Sequence, residues 1–440
     1  MRFPFPKDFL FGAASSAVQI ESGTTEGGKG EDIHDHNYKL DPESYKNADF
    51  NESADFYHRY PEDIQMMQEL GLKLFRFSIS WSRIYPNGPE QVNQAGLDYY
   101  SDMIDKLLAA DIVPFFDLWH CDLPQWVAER DGLLNPQFID WFTAYAKTVF
   151  EALGDKVPYW STVNEPNINC VAQYGTDRVK INRACHNMII AHYKTVRLFR
   201  QMGLKGKIGA VVHVMPVYAL NPNSPEDVAA AERCQANYSG WWLDPMLKGY
   251  YPKEIIDYPF LQKTMPVGFQ KQMEEEFIPM DFMGVNYYNP GFAVFEANDE
   301  MDFKKVSNPD LKKDDYGFAT YPQGLFDTVM FLKNAYPGKG IIITENGIGV
   351  KKWDNLDEEQ HDKYRIDHMR EHLRSLSRAI QAGAPVKGYC HWSIMDTNEL
   401  RSAGYDIIFG LVQVNYKTKE RRPRDSWYYY QRLIRDGFVD

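Results

Sequence analysis

The chain has 440 residues, of which 44% are hydrophobic and 25% charged, a composition typical of a globular protein with a large core. Its formal net charge of -13 argues against nucleic acid or an anionic membrane as a main partner. The sequence contains no run of about 18 apolar residues, so no membrane span is expected.

Short apolar runs alternate with longer amphipathic segments along the whole chain. Each run is nearly continuous in hydrophobicity, as expected for parallel strands that are covered on both faces. The eight runs span residues 8–16, 73–80, 112–120, 159–165, 207–217, 281–288, 340–347 and 386–396.

Helical periodicity marks the segments between many of these runs. The clearest examples span residues 53–71, 97–110, 136–154, 181–202 and 361–383. Eight β/α units in one series predict an α/β fold with a closed (β/α)₈ TIM barrel, rather than an open doubly wound sheet. Because no internal repeat or low-complexity linker interrupts the series, residues 1–440 are predicted to form a single catalytic domain.

Two stretches, residues 21–44 and 295–317, have the composition of long surface loops. Each follows the carboxyl end of a predicted strand, the face on which such barrels carry their active sites. Their charged residues are interpreted as solvated loop surface rather than as part of a site.

The cysteines indicate a reducing environment. None of the five forms a CxxC pair, so the sequence predicts neither a disulfide framework nor a zinc site, and the odd count fits a reducing compartment. The first twelve residues lack the pattern of a signal peptide, which favours a cytoplasmic location. The cysteines are Cys121, Cys170, Cys185, Cys234 and Cys390.

Polar side chains cluster where the predicted strands end. Because the carboxyl ends of barrel strands share one face, these side chains are expected to meet there. They include His120, Asn164, Glu165, Asn286, Tyr288, Glu345, Trp392 and Glu399. Arg76 lies inside an apolar run, where a charge requires a partner or an unusual site.

Glu165 and Glu345 end the fourth and seventh predicted strands and suggest a pair of carboxylates. Glycoside hydrolysis uses such a pair, one as nucleophile and one as acid and base, about 5–5.5 Å apart in retaining enzymes. A glutamate after a strand can also be an exposed loop acid. The pattern alone leaves both interpretations open.

Seven motifs, in order along nearly the whole chain, resemble the signatures of glycoside hydrolase family 1. They read FPKDFLFGAASSAVQIES, RFSISWSRIYPNG, HCDLPQW, STVNEP, DFMGVNYY, ITENG and HWSIMD. The resemblance implies a retaining β-glycosidase that hydrolyses a terminal non-reducing β-D-glycoside, foremost a glucoside, through a covalent glycosyl-enzyme intermediate. It implies a small-molecule β-glycoside or oligosaccharide as partner, and neither a metal nor an organic cofactor.

The resemblance also implies roles for individual residues at the sugar. Asn164 resembles the residue that hydrogen-bonds the 2-hydroxyl group. Gln19 and His120 resemble ligands of the 3-hydroxyl region, and Trp392 resembles the platform under the ring. Counting from Trp392 places Glu399 at the family's ligand of the 4- and 6-hydroxyl groups.

In the same comparison Glu345 corresponds to the nucleophile and Glu165 to the acid/base. Arg76 and Tyr288 resemble the groups that hold the nucleophile, and the Arg76 charge is expected to keep it ionised. The negative charge of Glu345 is expected to raise the pKa of Glu165, so that Glu165 begins protonated and ionises once Glu345 is esterified.

Four departures from the family pattern bear on specificity. Cys121 and Leu400 stand where tryptophans are usual, and His213 stands where asparagine is common. Only residues 172–180 lie between the segment NEPNINCV, which ends the fourth predicted strand, and a helix predicted to begin at Ile181. This connection is shorter than the loop that is usual in the family. We expect a roomier entrance and a bulky or unusual glycone or aglycone rather than a simple cellobiose preference.

Three alternatives stay open at this point. A 6-phospho-β-glycosidase would resemble this chain, but that branch carries Ser at the Glu399 position and Lys and Tyr where this chain has Ile407 and Phe409. A phosphate beside Glu399 without a cation would be repelled. A catalytically inactive barrel that binds a carbohydrate or a partner would normally lack one of the two carboxylates. A transglycosidase would use the same residues.

Overall fold

Eight parallel strands close into a barrel in the computed structural model, which describes residues 2–297, 300–353, 355 and 357–440. The strands are β1 (Leu10–Ala14), β2 (Leu74–Ser78), β3 (Val113–Asp117), β4 (Tyr159–Asn164), β5 (Lys207–His213), β6 (Phe282–Asn286), β7 (Gly340–Asn346) and β8 (Val386–Trp392). Each strand pairs with the next along the chain, and β8 pairs with β1. The predicted barrel and all eight predicted strands are confirmed.

Helices surround the barrel. Phe56–Leu70, Gln94–Ala109, Phe138–Leu153 and Arg178–Gln201 follow β1 to β4, and Pro322–Ala335, Lys363–Gln381 and Asp425–Asp436 follow β6 to β8. After β5 the chain runs through Pro225–Gln235, Trp241–Lys248, Lys253–Ile256, Pro259–Thr264 and Phe269–Glu276. The five helices predicted from periodicity are all present, with ends displaced by a few residues.

Alternation along β2 shows how the sequence builds two cores. Phe75 and Phe77 belong to the large apolar cluster between the strands and the surrounding helices. Leu74 belongs to a second cluster formed by residues of several strands, including Phe115 of β3. Because successive strand residues point to opposite faces, Arg76 shares the inward face with Leu74. The fully buried Arg76 side chain therefore lies within the barrel.

The segment predicted as the first surface loop is partly helical. Ile33–Leu40 forms a helix inside residues 21–44. Asp32 caps this helix by accepting the backbone N–H of His34 at 2.8 Å and of Asp35 at 3.0 Å, and Asp35 reciprocates towards the Asp32 backbone. This capping box supplies a start signal that the charge-rich composition concealed.

Two further segments differ from the sequence-based expectation. Within residues 295–317, Lys304–Val306 pairs antiparallel with Gly291–Val294; positions 298 and 299 of that expected loop lie outside the described residues. After β4, Pro166–Tyr174 is itself a helix and the next helix begins at Arg178, not Ile181. Only residues 175–177 connect the two helices, so the expected loop is a short turn.

Short strands and helices lie outside the eight barrel strands. The strand pairs are Phe3–Pro4 with Phe438–Val439, Val217–Ala219 with Gly291–Val294, Val350–Lys351 with Ile407–Ile408, and Val412–Val414 with Arg421–Pro423. The short helices include Ala17–Ile20, Trp81–Ile84, Gln125–Ala128 and Leu400–Ala403, together with the single turns Pro42–Tyr45, Phe50–Glu52, Gly132–Leu134, Gly154–Lys156 and Glu358–Gln360, and the π-helical turn Ala236–Gly240.

Two sequence-based expectations concern the whole chain. All five cysteines are buried and free of disulfide bonds. Within the described ranges, no helix combines the length and the apolar character needed to cross a bilayer.

Candidate active site

A cavity of about 1060 Å³ opens at the carboxyl ends of the strands. All but one of the predicted site residues line it: Gln19, His120, Cys121, Asn164, Glu165, His213, Tyr288, Glu345, Trp392, Glu399 and Leu400. The exception, Arg76, is fully buried beneath the cavity floor and reaches the site through its hydrogen bonds. The barrel therefore brings together side chains from distant parts of the sequence.

Glu345, at the end of β7, is held by two donors. Arg76 Nη1 donates to Oε1 at 2.6 Å, and Tyr288 Oη donates to Oε2 at 2.7 Å. The carboxylate is buried, with 4% of its surface exposed. Hydrogen bonds from a cation and a phenol fix the orientation of this carboxyl group. Both contacts agree with the arrangement that the motif resemblance implied.

Arg76 is shared among three side-chain acceptors. Besides Glu345, its Nη2 donates to Asn164 Oδ1 at 2.7 Å and forms an ion pair with Asp117 Oδ2 at 2.5 Å. Burial, the largest single effect, opposes ionisation of Asp117, but the Arg76 charge and the contacts with His120 and Ser161 together lower the pKa of that carboxyl group. Ser161 Oγ donates to the other Asp117 oxygen at 2.5 Å. Asp117 was not identified from the sequence, although an acid inside an apolar strand was the available signal.

Glu165 follows the last residue of β4 in a left-handed backbone conformation, with φ of 44°. Pro166 begins the next helix directly after it, so a sharp strand-to-helix turn presents the carboxyl group to the cavity. Asn286 Nδ2 donates to Glu165 Oε1 at 2.9 Å. Burial, followed by repulsion from Glu345, raises the pKa of Glu165 to about 8. The group is therefore protonated at neutral pH and can act as an acid.

Asn164 and His120 form one polar wall of the site. Asn164 Nδ2 and His120 Nε2 lie 3.2 Å apart, while Asn164 Oδ1 faces Arg76. The other imidazole nitrogen of His120 lies 3.6 Å from Asp117. The His120 ring stacks against Trp392 with centroids 5.8 Å apart and planes 13° apart. The tryptophan therefore forms part of the same wall, as a rigid apolar surface.

Gln19 and Glu399 lie close to residues that follow β8. Gln19 Nε2 donates to the backbone oxygen of Asn398 at 2.9 Å. Glu399 accepts a short hydrogen bond from Thr397 Oγ1. Burial raises the pKa of Glu399 to about 7, although hydrogen bonds from Thr397 and Trp392 lower it. Glu399 is therefore poised to accept or donate hydrogen bonds to hydroxyl groups in the cavity.

His213 lines the cavity next to Tyr288, which holds the predicted nucleophile Glu345. Its ring stacks on Tyr288 with centroids 6.0 Å apart, and its Nδ1 lies 2.7 Å from Tyr238 Oη. Burial lowers the pKa of His213 to about 4, so the ring is neutral at physiological pH. His213 therefore shapes the wall without adding a charge. Tyr238 also lines the cavity and was not identified from the sequence.

The two positions that lack tryptophan both line the cavity in left-handed backbone conformations. Cys121 has φ of 61° and Leu400 has φ of 53°. His34 and Arg401 line the same region, and His34 Nε2 lies 3.2 Å from the Cys121 backbone oxygen. His34 comes from the segment interpreted as solvated loop, so that interpretation missed its contribution to the cavity wall.

The arrangement supplies one carboxyl group that accepts from Arg76 and Tyr288 and one that is protonated, both facing the same space. That combination suits nucleophilic attack at a carbon centre with proton donation to a departing oxygen. Throughout the part of the chain that the structure describes, no group of three or more His, Cys, Asp or Glu side chains is placed to hold a metal ion.

Comparison with known proteins places these features in a family. The sequence model for glycosyl hydrolase family 1 matches residues 1–438. Beta-glucosidase A of Acetivibrio thermocellus is 36% identical, covering 99% of this chain and 99% of the relative. The 6-phospho-beta-galactosidase of Clostridium acetobutylicum is 35% identical, covering 98% of this chain and 96% of the relative.

Solved structures show the same likeness. The beta-glucosidase from Thermotoga maritima in complex with deoxynojirimycin matches with a TM-score of 0.93 and 34% identity, covering 100% of both chains. The match extends over the barrel and the segments that line the cavity.

Proposed function

Because this chain belongs to glycosyl hydrolase family 1, we propose that it hydrolyses terminal β-D-glucosides with retention of configuration at the anomeric carbon. Glu345 is the nucleophile and Glu165 is the acid/base. The observation that carries this proposal is the contrast between the two carboxyl groups. Arg76 and Tyr288 hold Glu345 as a hydrogen-bond acceptor, whereas burial and repulsion from Glu345 keep Glu165 protonated.

In the first step a Glu345 oxygen attacks the anomeric carbon of the sugar. The bond from that carbon to the leaving oxygen breaks, and the Glu165 proton moves to this oxygen. Loss of the Glu345 charge removes the repulsion that helps to raise the pKa of Glu165. Glu165 therefore ionises more readily in the covalent intermediate.

In the second step the Glu165 carboxylate takes a proton from water. The water oxygen bonds to the anomeric carbon, and Glu345 leaves as a carboxylate. Two displacements on opposite faces of the ring restore the original configuration. The reaction needs no group beyond the two carboxyl groups, water and the residues that hold them.

The remaining residues position the sugar. Asn164 and His120 offer hydrogen-bonding groups next to Glu345, and Trp392 offers a ring face on which a sugar can stack. Gln19 and Glu399 supply acceptors and donors near the residues that follow β8. We assign these five residues to glycone binding; the predicted small-molecule ligand is a β-glycoside or an oligosaccharide.

The rim departures at Cys121, Leu400 and His213 underlie a preference for a bulky or unusual substituent. Cys121 and Leu400 leave cavity volume that two indole rings would occupy. We therefore expect cellobiose to be outperformed by glycosides with larger groups. A kinetic panel with cellobiose clearly the best substrate would contradict this specificity.

The 6-phospho-β-glycosidase alternative is disfavoured by the residues around Glu399. Glu399 and Phe409 line the cavity, and Ile407 is buried in the adjacent strand pair Val350–Lys351 with Ile407–Ile408. Neither Ile407 nor Phe409 can neutralise a phosphate, and the ionised form of Glu399 would repel it.

The decisive experiment is a turnover panel of aryl β-glycosides that differ only in the sugar, including glucose, galactose, fucose and glucose 6-phosphate. Proton NMR of the first-formed free sugar from the preferred substrate reports the configuration. We expect the β-glucoside to be favoured and the β-anomer to appear first. An α-anomer product would refute retention, and no turnover of any glycoside would favour an inactive, carbohydrate-binding barrel.

A further inference from the structure

A side pocket of about 180 Å³ adjoins the main cavity. The two share Met215, Asn289 and Lys305 as lining residues. Lys313 also lines the side pocket, and no aspartate or glutamate of the described ranges does. We call this feature the lysine pocket. Its positive character contrasts with a chain whose formal net charge is -13.

The lysine pocket lies on the Glu165 side of the active site. Lys305 Nζ is 4.2 Å from the centre of the Tyr238 ring, and Tyr238 Oη lies 2.7 Å from His213 Nδ1. Burial, followed by the charge of Glu165, raises the pKa of Tyr238, so the phenol and the carboxyl group are close neighbours. Because the acid/base protonates the leaving oxygen, groups on this side face the aglycone.

Lys305 carries a charge that the described residues leave without an ion pair. Among the described residues, no carboxylate forms an ion pair with Lys305 or Lys313. Its neighbour Lys304, on the same strand Lys304–Val306, pairs with Glu296 at 2.9 Å. Desolvation, and to a smaller degree the nearby Arg178 charge, lowers the pKa of the Lys305 ammonium group. An unpaired cation with a second cation nearby attracts an anion from solution.

The polar groups around Lys305 suit an oxyanion. The lining of the lysine pocket adds the hydroxyl group of Ser307, which is able to donate a hydrogen bond. The amide nitrogen of Asn289 already donates to the Pro290 backbone oxygen at 3.0 Å and to Met215 Sδ at 3.6 Å, so it borders the pocket without a free donor. Lys305 is exposed to the cavity, so a bound anion keeps part of its hydration. Such a contact adds selectivity more than it adds total affinity.

We infer that the lysine pocket binds an anionic group on the leaving part of the substrate, and that the preferred aglycone carries a carboxylate. This inference rests on the proposed glucosidase function and narrows its substrate class. It assigns Lys305 to the recognition of the aglycone, with Lys313 as a second cation further from Glu165.

A matched pair of substrates tests the inference. The probes are 4-carboxyphenyl and 4-carbamoylphenyl β-D-glucopyranoside, which have nearly the same shape and differ in charge. The quantity measured is the ratio of kcat/KM for the carboxylate to kcat/KM for the amide. Because both enzymes see the same two leaving groups, comparing this ratio between wild type and variant cancels their intrinsic reactivities.

We expect Lys305→Met to lower the ratio about fivefold, as for loss of a partly exposed charge pair. Lys313→Met should lower it less. Lys305→Arg should preserve most of the ratio because it keeps the charge. Added salt should reduce the wild-type ratio towards that of Lys305→Met, since screening weakens a solvent-accessible pair.

The matched control is Lys304→Met, which removes the same side chain from the neighbouring position outside the lysine pocket. An unchanged ratio in Lys305→Met, or an equal fall in Lys304→Met, would overturn the inference while leaving the glucosidase function intact. Failure of the wild type to cleave either glucoside would instead overturn the glucosidase function itself, and the inference with it.

Discussion

The side-chain amide of Asn286 is oriented towards Glu165 by a third residue. Asn286 Nδ2 donates to Glu165 Oε1 at 2.9 Å, while Thr344 Oγ1 donates to Asn286 Oδ1 at 2.7 Å. The threonine hydroxyl group fixes which end of the amide faces the carboxyl group. This hydrogen bond lowers the pKa of Glu165 and so opposes the effect of burial and of Glu345.

The pH dependence of turnover should report Glu165. Its pKa of about 8 means that the acid is protonated below that pH and lost above it. We expect kcat/KM for an aryl β-glucoside to fall about tenfold per pH unit on the alkaline side of pH 8. In Asn286→Ala this alkaline limb should move to higher pH, because a hydrogen bond that favours the ionised form is gone. A limb that stays in place would contradict the assignment.

Glu345→Gln should lower kcat/KM for an aryl β-glucoside by about 10³-fold or more, because an amide cannot form the glycosyl ester. The fold should survive, since Arg76 keeps its ion pair with Asp117. Circular dichroism and thermal unfolding check the fold, and steady-state kinetics check the loss. The exposed Glu296→Gln serves as the control for amide substitution. Near-normal turnover by Glu345→Gln would sink the nucleophile assignment.

Tyr288→Phe should reduce kcat about tenfold or more, because Glu345 loses the hydrogen bond at 2.7 Å that orients it. Tyr287→Phe is a matched control: Tyr287 is the adjacent buried tyrosine, and its hydroxyl group bonds the Tyr321 backbone oxygen at 2.6 Å instead. The two variants should lose similar stability in urea unfolding. Equal losses of kcat in both would show that Tyr288 acts only through packing.

Glu399 should make the stability of the fold depend on pH. Burial raises its folded pKa from 4.5 to about 7, so its ionisation opposes folding. The stabilising protonated form is complete below pH 4.5 and is lost as the pH rises to about 7, a change of about 3 kcal/mol.

Removing this ionisation should make the free energy of unfolding depend less on pH. We expect the free energy of unfolding of Glu399→Gln, relative to that of wild type, to be higher at pH 8 than at pH 4.5. Urea unfolding at both pH values measures this difference. Parallel stability curves for the two proteins would rule out the raised pKa. Glucosidase activity is not the readout, because the variant also alters the cavity wall.

The sequence predicted the barrel because parallel strands carry their own signature. Runs such as 207–217 and 340–347 are apolar on both faces, and eight β/α units in one series favour a closed barrel over an open sheet. The boundary between Pro166–Tyr174 and Arg178–Gln201 was misplaced, because a turn of three residues leaves little compositional trace. The helix Ile33–Leu40 was missed because most of its residues are polar or charged.

The carboxylates were predictable for a different reason from the residues that support them. Glu165 and Glu345 end apolar strands and stand out as polar interruptions. Asp117 interrupts a strand too, but its role depends on sharing Arg76, and that contact joins strands that only the closed barrel brings together. Tyr238 and Lys305 lie in segments whose path over the barrel no local pattern determines.

The sharing of Arg76 between Asp117 and Glu345 has a consequence for the covalent intermediate. In the resting site two carboxylates face one guanidinium group, which leaves one surplus negative charge available to the nucleophile. Once Glu345 becomes an ester, Arg76 still has Asp117 as its counter-ion, so no buried cation is orphaned. During each catalytic cycle the group formed by Arg76, Asp117 and Glu345 thus alternates between a net charge of -1 and neutrality. The barrel need not rearrange its interior to accommodate either state.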